Sequence, residues 1–438
     1  MRPTPKPFTD EEYIHEMIET RRTLHRIPEE AWAEFETSWI VTERLRSLGF
    51  RVLLGRDIIN PHAVMGRDPE RVEAAIERAL ANGVPERFIE ETDGFTGVVG
   101  ILDTGRPGPV TAFRADMDCV QVDETKDPQH ESNLCGFSSE HPGLMHACGH
   151  DAHTAIGLEV ARWLIDHENE LVGTFKLIFQ PAEEELCGAA AMAASGILDD
   201  VSNLVGSHVG LLAKPGEVLL VSGGFPASTK IDVHFEGLPS HAGSDPEKGR
   251  SALMAACSAA MMVQGISRHG GGESRICVGK LNAGEGRNVT PVHADMQIEV
   301  RGTSDEVNDF VVSNVNNVIA GIGLAYGVKT NSIRAGEACT LPVCRRLVNI
   351  VLEEARDVPG VLRVDIESRP TVPEDCATLI RRVVHHGGRG AFFLFGCNHH
   401  GHHLSNFEIQ DTESMPLGFG VFTRVAKRLN GAGYAANY

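Results

Sequence analysis

The order of apolar and polar positions divides the first half of the chain into amphipathic helices and short buried strands. Apolar residues at helical spacing predict helices within residues 10–49, 69–82 and 153–165. Short apolar runs between turn residues predict buried strands at 110–116 and 174–179. Alternating strands and helices are typical of a sheet covered by helices on both faces. We therefore expect an α/β fold.

The pattern changes near residue 224. Strictly alternating segments, which indicate half-exposed strands, now combine with two helices in the order strand–helix–strand–strand–helix–strand. That order is typical of a ferredoxin-like α+β domain. From about residue 338 the first pattern resumes. The sequence thus predicts one domain from residues 1–223 and 338–438, with a second, inserted domain at 224–337.

Composition limits the classes of function. A chain of 438 residues is longer than one compact domain usually is, and 42% hydrophobic and 23% charged residues are ordinary for a globular protein. A formal net charge of −20 argues against nucleic acid or an anionic membrane as partner. No apolar signal core and no run of eighteen apolar residues is present, so we expect a cytoplasmic protein.

The segment from His146 to His153 contains three histidines, a cysteine and an aspartate in eight positions. Thiolate, imidazole and carboxylate are the groups that bind borderline transition metals. Cys148 and His150 are two residues apart, so in an extended segment both side chains point to one side. A predicted helix follows directly, and its N-terminus is expected to lower the pKa of the Cys148 thiol.

Further candidate ligands follow predicted strands. Glu183 and Glu184 come after the strand at 174–179, before a helix predicted from Glu185 to Ser195, and His208 ends another apolar run. Open α/β sheets bind ligands at the carboxyl ends of their strands. One glutamate could bind a metal ion while its neighbour takes a proton from water. The alternatives are a solvated acidic helix start and a structural histidine. A histidine-rich segment follows the last apolar strand, at His399, His400, His402 and His403.

Six motifs in this order make the chain similar to the amidohydrolase branch of the M20 metallopeptidases, over nearly its whole length. Members of this branch hydrolyse N-acyl amino acids and auxin conjugates. The motifs are Cys148-Gly149-His150-Asp151, Pro181-Ala182-Glu183-Glu184, Ser207-His208-Val209-Gly210, Ser240-His241-Ala242-Gly243, Gly286-Arg287-Asn288-Val289-Thr290-Pro291 and Glu374-Asp375.

The resemblance implies a zinc-peptidase-like catalytic domain and an inserted domain that dimerises and covers the site. It assigns the general base to Glu183, the polarisation of the scissile carbonyl to His241 and Asn288, which in relatives often come from the partner protomer, and the substrate carboxylate to Arg301. The cofactor would be one or two divalent ions, with Mn or Zn favoured and Co or Ni open. The implied metal ligands are Cys148, His150, Glu184, His208 and His403.

Three positions depart from the family pattern or leave it open. Arg114 stands where broader relatives have a histidine, so Asp116 is not expected to be a direct ligand. The segment Val372–Asp375 reads Val-Pro-Glu-Asp where a small residue and serine are usual. His402 could replace His403 as ligand.

The expected activity is hydrolysis of a C–N bond in a small aromatic carboxylate. Metal-activated water would cut the amide of an aminobenzoyl-glutamate-like N-acyl amino acid. A second enzyme type on this scaffold removes the amine of 5-nitroanthranilate, so hydrolytic deamination of an amino-aromatic acid is an alternative. A non-catalytic metal-binding subunit of a hetero-oligomer and a simple peptidase are the others. We expect a homodimer or higher oligomer.

Overall fold

The computed structural model describes residues 10–368 and 372–433. These residues form two compact units. The larger contains the residues before Gly224 and most of those after Thr340, and the smaller contains Gly224–Thr340 and the segment that ends at Glu374.

The larger unit is built on an eight-stranded mixed sheet. Its strand order is β1-β2-β4-β3-β5-β12-β6-β11, and the four central strands β4, β3, β5 and β12 are parallel neighbours. The strands are β1 (Arg51–Leu53), β2 (Val98–Asp103), β3 (Val110–Asp116), β4 (Thr174–Gln180), β5 (Asn203–Val209), β6 (Glu217–Val221), β11 (Arg363–Glu367) and β12 (Arg389–Phe395).

Helices cover this sheet. Its central strands are buried along nearly their full length, which is the pattern of a parallel sheet packed on both faces. The helices are α1 (Asp10–Arg26), α2 (Phe35–Leu48), α3 (Pro69–Ala81), α4 (Glu86–Thr92), α5 (Glu131–Cys135), α6 (His150–Asp166), α7 (Gly188–Ala194), α10 (Arg345–Ala355), α11 (Cys376–His385) and α12 (Asp411–Asn430).

The smaller unit is a four-stranded antiparallel sheet in the order β10-β7-β9-β8, with two helices. Alternate residues of β7 and β9 are buried against these helices, and Phe235 and Met296 are fully enclosed. The elements are β7 (Ala227–Glu236), α8 (Ala252–Gln264), β8 (Ser274–Ala283), β9 (His293–Gly302), α9 (Asp305–Tyr326) and β10 (Lys329–Ala338).

The α/β class and the strand–helix–strand–strand–helix–strand order are confirmed. The helix predicted from Glu185 is wrong at its start, because α7 begins only at Gly188. The chain turns back on itself before it, with φ of 57° at Ala182 and 56° at Leu186, and both the Cys187 and Gly188 amides donate to the Ala182 carbonyl. Within residues 10–368 and 372–433, no helix is long and apolar enough to cross a bilayer.

Candidate metal centre

The parallel strands bring the candidate ligands to one edge of the sheet. Because β4, β3, β5 and β12 are parallel, their carboxyl ends lie together. His208 is the penultimate residue of β5, and Glu183 and Glu184 follow β4. Cys148 and His150 lie at the start of α6, which packs on β3. His403 lies in the segment after β12, where its backbone N–H donates to the Ala147 carbonyl at 2.8 Å.

The five predicted ligands converge. Cys148 Sγ lies 3.4 Å from His208 Nε2, and Glu184 places one oxygen 3.7 Å from His150 Nε2 and the other 3.2 Å from His403 Nε2. Ligand atoms around a tetrahedral cation at about 2.0–2.3 Å are roughly 3.4 Å apart. The spacing therefore fits a set of side chains around a bound ion, and His403 alone of the five is exposed.

Two imidazoles are held with one nitrogen directed inward. His150 Nδ1 is 3.2 Å from Asp118, and His208 Nδ1 is 2.7 Å from the Val209 carbonyl, so Nδ1 of each ring faces an acceptor. His150 Nε2 is buried and has no hydrogen-bond partner among the described residues. A buried nitrogen with a lone pair and no donor is what a metal ion satisfies, so the residues fit the implied cofactor.

The geometry favours His403 over His402 as the ligand. His402 Nε2 accepts the Leu211 N–H at 3.0 Å, so its proton is on Nδ1, which lies 3.4 Å from Cys148 Sγ. Burial lowers the pKa of His402 to about 3, with the neighbouring histidines His399 and His403 adding to the shift. A neutral His402 thus donates a hydrogen bond to the sulfur.

The expected lowering of the Cys148 pKa is wrong. Burial raises the pKa of this thiol well above its usual value, and the charge of Glu184 raises it further. Desolvation in this pocket outweighs the partial positive charge at the start of α6. A bound cation would favour the thiolate over the thiol. Burial also lowers the pKa of His208 well below its usual value, which keeps its ring neutral for coordination.

Asp116 and His153 form a clamp behind the ligands. His153 Nδ1 is 2.5 Å from Asp116, and its Nε2 accepts the Val209 N–H at 2.9 Å, so both ring nitrogens are engaged. The Arg114 guanidinium donates to Asp116 at 2.5 Å, and also to Gln180 and Asp375. Arg114 thus contacts one oxygen of Asp116 and His153 the other, which is in keeping with the prediction that this carboxylate is not a direct ligand.

Asp118 is a functional residue that the sequence interpretation missed. One carboxylate oxygen contacts His150 Nδ1, and the other accepts the Glu184 backbone N–H at 2.9 Å. It therefore orients two ligands at once. The signal was present in the spacing, because Asp116 and Asp118 are alternate residues at the carboxyl end of a buried strand.

His241, Asn288 and Arg301 lie in the smaller unit. The His241 and Asn288 segments pair there: the Ala242 N–H donates to the Asn288 carbonyl at 3.1 Å. Arg301 lies near the far end of β9, beside Ser228 of β7, where its guanidinium pairs with Glu299 at 3.0 Å. Eight residues of strand from His293 to Arg301 span roughly 26 Å, so Arg301 is remote from His241 and Asn288 within this unit.

Comparison with known proteins decides the family. Residues 112–428 match peptidase family M20/M25/M40. The chain belongs to this family. It is 38% identical to a Haemophilus influenzae homolog of one component of p-aminobenzoyl-glutamate hydrolase, over 95% of this chain and 99% of that one. It is 41% identical to an indole-3-acetyl-aspartic acid hydrolase of Enterobacter agglomerans, over 91% and 94%.

A solved structure agrees. The aminobenzoyl-glutamate utilization protein of Klebsiella pneumoniae superimposes with a TM-score of 0.81 at 37% identity, over 96% of this chain and 98% of that one. The predicted fold class and the predicted resemblance to M20 amidohydrolases are confirmed. So is the prediction of an enzyme: the chain is a metal-dependent M20 hydrolase of amide C–N bonds.

The double role of Asp118 can be tested by Asp118→Asn. The asparagine side chain has one acceptor oxygen in place of two. It can still accept from His150, but the Glu184 backbone N–H then loses its acceptor. We expect metal affinity, measured by competition with a chelator, to fall about 10- to 100-fold. Asp103→Asn is the control, since Asp103 accepts the Gly105 N–H at the opposite edge of the sheet. Unchanged affinity in a folded Asp118→Asn protein contradicts the role.

Proposed function

We propose that the protein hydrolyses the amide bond of an aromatic N-acyl amino acid, of the N-(4-aminobenzoyl)-glutamate type. The observation that carries the proposal is the position of Glu183 beside the ligand set: its Oε2 lies 3.8 Å from His150 Nε2. The substrate class is supported by the names of the two relatives above, one for an aminobenzoyl-glutamate and one for an indole-acetyl-aspartate conjugate. Both names join an aromatic acyl group to an acidic amino acid.

We assign Cys148, His150, Glu184, His208 and His403 as the metal ligands. One sulfur, three imidazoles and a carboxylate suit Mn or Zn, with Co or Ni as further candidates. A structural zinc site usually has four protein ligands. The five residues assigned here, together with the adjacent Glu183, are enough to bind a second ion. When bound, the cation supplies the Lewis acidity that makes water a stronger nucleophile.

Glu183 would act as the proton carrier. Its side chain is nearly buried, next to the ligands, while Glu185 two residues on is exposed. A carboxylate in this position can take the proton from the attacking water and return it to the leaving amine. Glu184, held through its amide by Asp118, turns its side chain towards His150 and His403. Adjacent glutamates thereby have separate roles.

His241 and Asn288 would stabilise the oxyanion. His241 Nδ1 accepts the backbone N–H groups of Gly243 and Ser244 at 3.1 and 3.0 Å. The proton of the neutral ring is therefore on Nε2, which can donate to a developing negative oxygen. Donors of this kind contribute roughly 2.7–4 kcal/mol to transition-state stabilisation.

Arg301 would bind the substrate carboxylate. Its guanidinium already pairs with Glu299, which in turn accepts from Ser228 at 3.2 Å. The substrate carboxylate would share the Arg301 guanidinium with Glu299, since the planar N–H donors of a guanidinium can serve two partners. The roughly 26 Å of strand between Arg301 and the Asn288 segment supports a site that takes these groups from two protomers.

We accordingly assign catalysis to the larger domain, residues 1–223 and 338–438, and dimerisation to the inserted domain at 224–337. The helix α8 supports this assignment, since its thirteen residues contain no charged side chain. Met261 is 79% exposed and Met262 52% exposed on it. The adjacent strand β8 is an edge strand with free backbone groups for pairing. A helix without charges beside an open sheet edge suits a second copy of this chain.

We also propose a cytoplasmic location. The ligand Cys148 must remain a reduced thiol to bind a cation, and a reducing compartment preserves it.

The proposed activity is tested by assaying metal-loaded protein on three compounds. We expect release of 4-aminobenzoate from N-(4-aminobenzoyl)-glutamate, cleavage of indole-3-acetyl-aspartate at a different rate, and no ammonia from 5-nitroanthranilate. Loss of activity with a chelator and recovery with Mn or Zn identifies the cofactor. Release of ammonia from 5-nitroanthranilate without any amide cleavage contradicts the proposal in favour of deamination.

The role of Glu183 is tested by Glu183→Gln. The amide cannot take a proton, so we expect kcat to fall about 10²- to 10⁴-fold while bound metal stays constant. Glu185→Gln removes the same charge two residues away on the exposed side of the turn, and should keep wild-type kcat. A folded, metal-loaded Glu183→Gln protein with wild-type activity would falsify the assignment.

The dimer surface is tested by Met261→Glu. A charge within an apolar contact must be desolvated, so we expect the dimer dissociation constant, from light scattering across a concentration series, to rise roughly tenfold or more. Leu324→Glu on α9 is the matched control, since this leucine is also exposed (87%) but on the other helix. Equal effects of both substitutions, or none from Met261→Glu, count against α8 as the contact.

A further inference from the structure

A buried carboxylate from the N-terminal part of the chain holds the turn that presents Glu183. Glu34 directly precedes α2 but makes no side-chain hydrogen bond to the helix it precedes. Its Oε1 accepts the Ala182 backbone N–H at 2.8 Å, and its Oε2 accepts the Thr96 hydroxyl at 2.5 Å. The side chain is fully buried. A carboxylate removed from water and directed at a turn 148 residues away indicates a specific structural task.

The turn requires such support. Ala182 has a φ of 57°, a left-handed conformation that costs a non-glycine residue roughly 1–2 kcal/mol. Its carbonyl accepts two amides, those of Cys187 and Gly188. Gly188 is packed so closely that a Cβ there would lie 1.7 Å from the Pro181 carbonyl oxygen. The backbone of Ala182 is thus held at its oxygen from within the turn and at its nitrogen by Glu34.

Two carboxylates flank the proposed base. Glu34 binds the amide before Glu183, and Asp118 binds the amide after it, at Glu184. Asp118 thus holds the peptide unit directly after Glu183, and the Cys187 and Gly188 amides hold the unit directly before it through the Ala182 carbonyl. Glu34 holds the next unit, Pro181–Ala182, so the backbone around Glu183 is fixed and the direction of its side chain is restricted. Asp118 also contacts His150, so its effects on the base and the metal are mixed. The hydrogen bonds of Glu34 go instead to the turn and to Thr96.

We propose that Glu34 is a positioning residue for Glu183, which fixes the Ala182 amide and thereby the reach of the base towards the attacking water. The proposal rests on the function proposed above. It assigns Glu34 no contact with substrate or metal. Its contribution is to kcat, through the orientation of another side chain, where a displacement of about 1 Å can cost about 10²-fold in rate.

Two substitutions separate the hydrogen bond from the charge. Glu34→Gln keeps an acceptor for the Ala182 N–H and presents an amide to the Thr96 hydroxyl, which can accept. Burial raises the pKa of Glu34 well above its ordinary value, and the charge of Asp118 adds to this, so a neutral side chain suits the site. Glu34→Met has similar length but no acceptor, and leaves the amide without a partner.

The control is Glu29→Met in the same segment. Glu29 is also a fully buried carboxylate, and it accepts the backbone N–H groups of Glu36 and Thr37 at 3.1 and 2.8 Å. Its loss should destabilise the fold without touching the turn at Ala182. Should Glu29→Met fail to fold, Glu29→Gln serves as the control.

The measurements are amide hydrogen exchange in peptides that cover residues 180–188, steady-state kinetics on the best substrate of the wild type, and bound metal. For Glu34→Met we expect faster exchange at 180–188 and a kcat lower by roughly 10- to 100-fold, with KM and metal content within about threefold of wild type. Glu34→Gln should retain at least about a third of kcat. Glu29→Met should keep kcat and exchange at 180–188.

Each outcome either supports or overturns the proposal. Wild-type kcat or unchanged exchange in Glu34→Met overturns the proposal, as does a parallel loss of metal or an equal loss of kcat in the Glu29 control. If Glu34→Met does not fold, Thr96→Val takes its place, because it removes the second hydrogen bond of Glu34. The proposal then requires a lower kcat and faster exchange at 180–188 in Thr96→Val, and it fails without them. Wild-type activity of Glu183→Gln would instead contradict the proposed function, because this variant lacks the general base. Hydrogen exchange at 180–188 would still report whether Glu34 holds the turn.

Discussion

The structure depends on one constraint: thiol, carboxylate and imidazole side chains are largely buried together near the carboxyl ends of the parallel strands. Each of these groups alone would be costly to bury, since the desolvation of a thiolate or carboxylate amounts to several kcal/mol. The raised pKa of the Cys148 thiol is a direct sign of this cost. Bound divalent cations would compensate for this cost, so metal binding and the stability of this edge of the sheet would be linked.

The surroundings of the ligands follow from the same constraint. Asp151 is the second residue of α6, directly after His150. It accepts a hydrogen bond from Arg21 Nε at 3.0 Å and lies 2.7 Å from His25 Nδ1. The Arg21 charge and the His25 hydrogen bond outweigh burial and lower the pKa of Asp151. Two kinds of buried carboxylate therefore support this region: some, such as Asp151, pair with α1, and others, such as Asp118 and Glu34, accept backbone amides. Both kinds fix the chain that carries the ligands.

The sequence predicted the parts that depend on local pattern. Buried strands such as β3 and β4 are mostly apolar, so the strands and the candidate ligands that end or follow them, His208 and Glu184, could be predicted from the sequence. The turn at 181–187 could not be predicted, because acidic residues after a proline are typical of a helix start. Its left-handed Ala182 donates its N–H to Glu34, which is 148 positions earlier in the chain. The pKa of Cys148 was mispredicted for a related reason: helix position is visible in a sequence, but burial by distant segments is not.

The proposed separation of functions between the two units follows from how each is built. The larger unit has a sheet enclosed by helices, and its candidate ligands lie at the carboxyl ends of the parallel strands. The smaller unit leaves one sheet face and α8 open, and its proposed functional groups lie at opposite ends of β9. A single extended strand cannot bend both ends into one pocket of small-molecule size, since eight residues span roughly 26 Å. If His241, Asn288 and Arg301 all contact one substrate, two copies of the unit must contribute, and the charge-free surface of α8 then has a catalytic as well as a structural reason to exist.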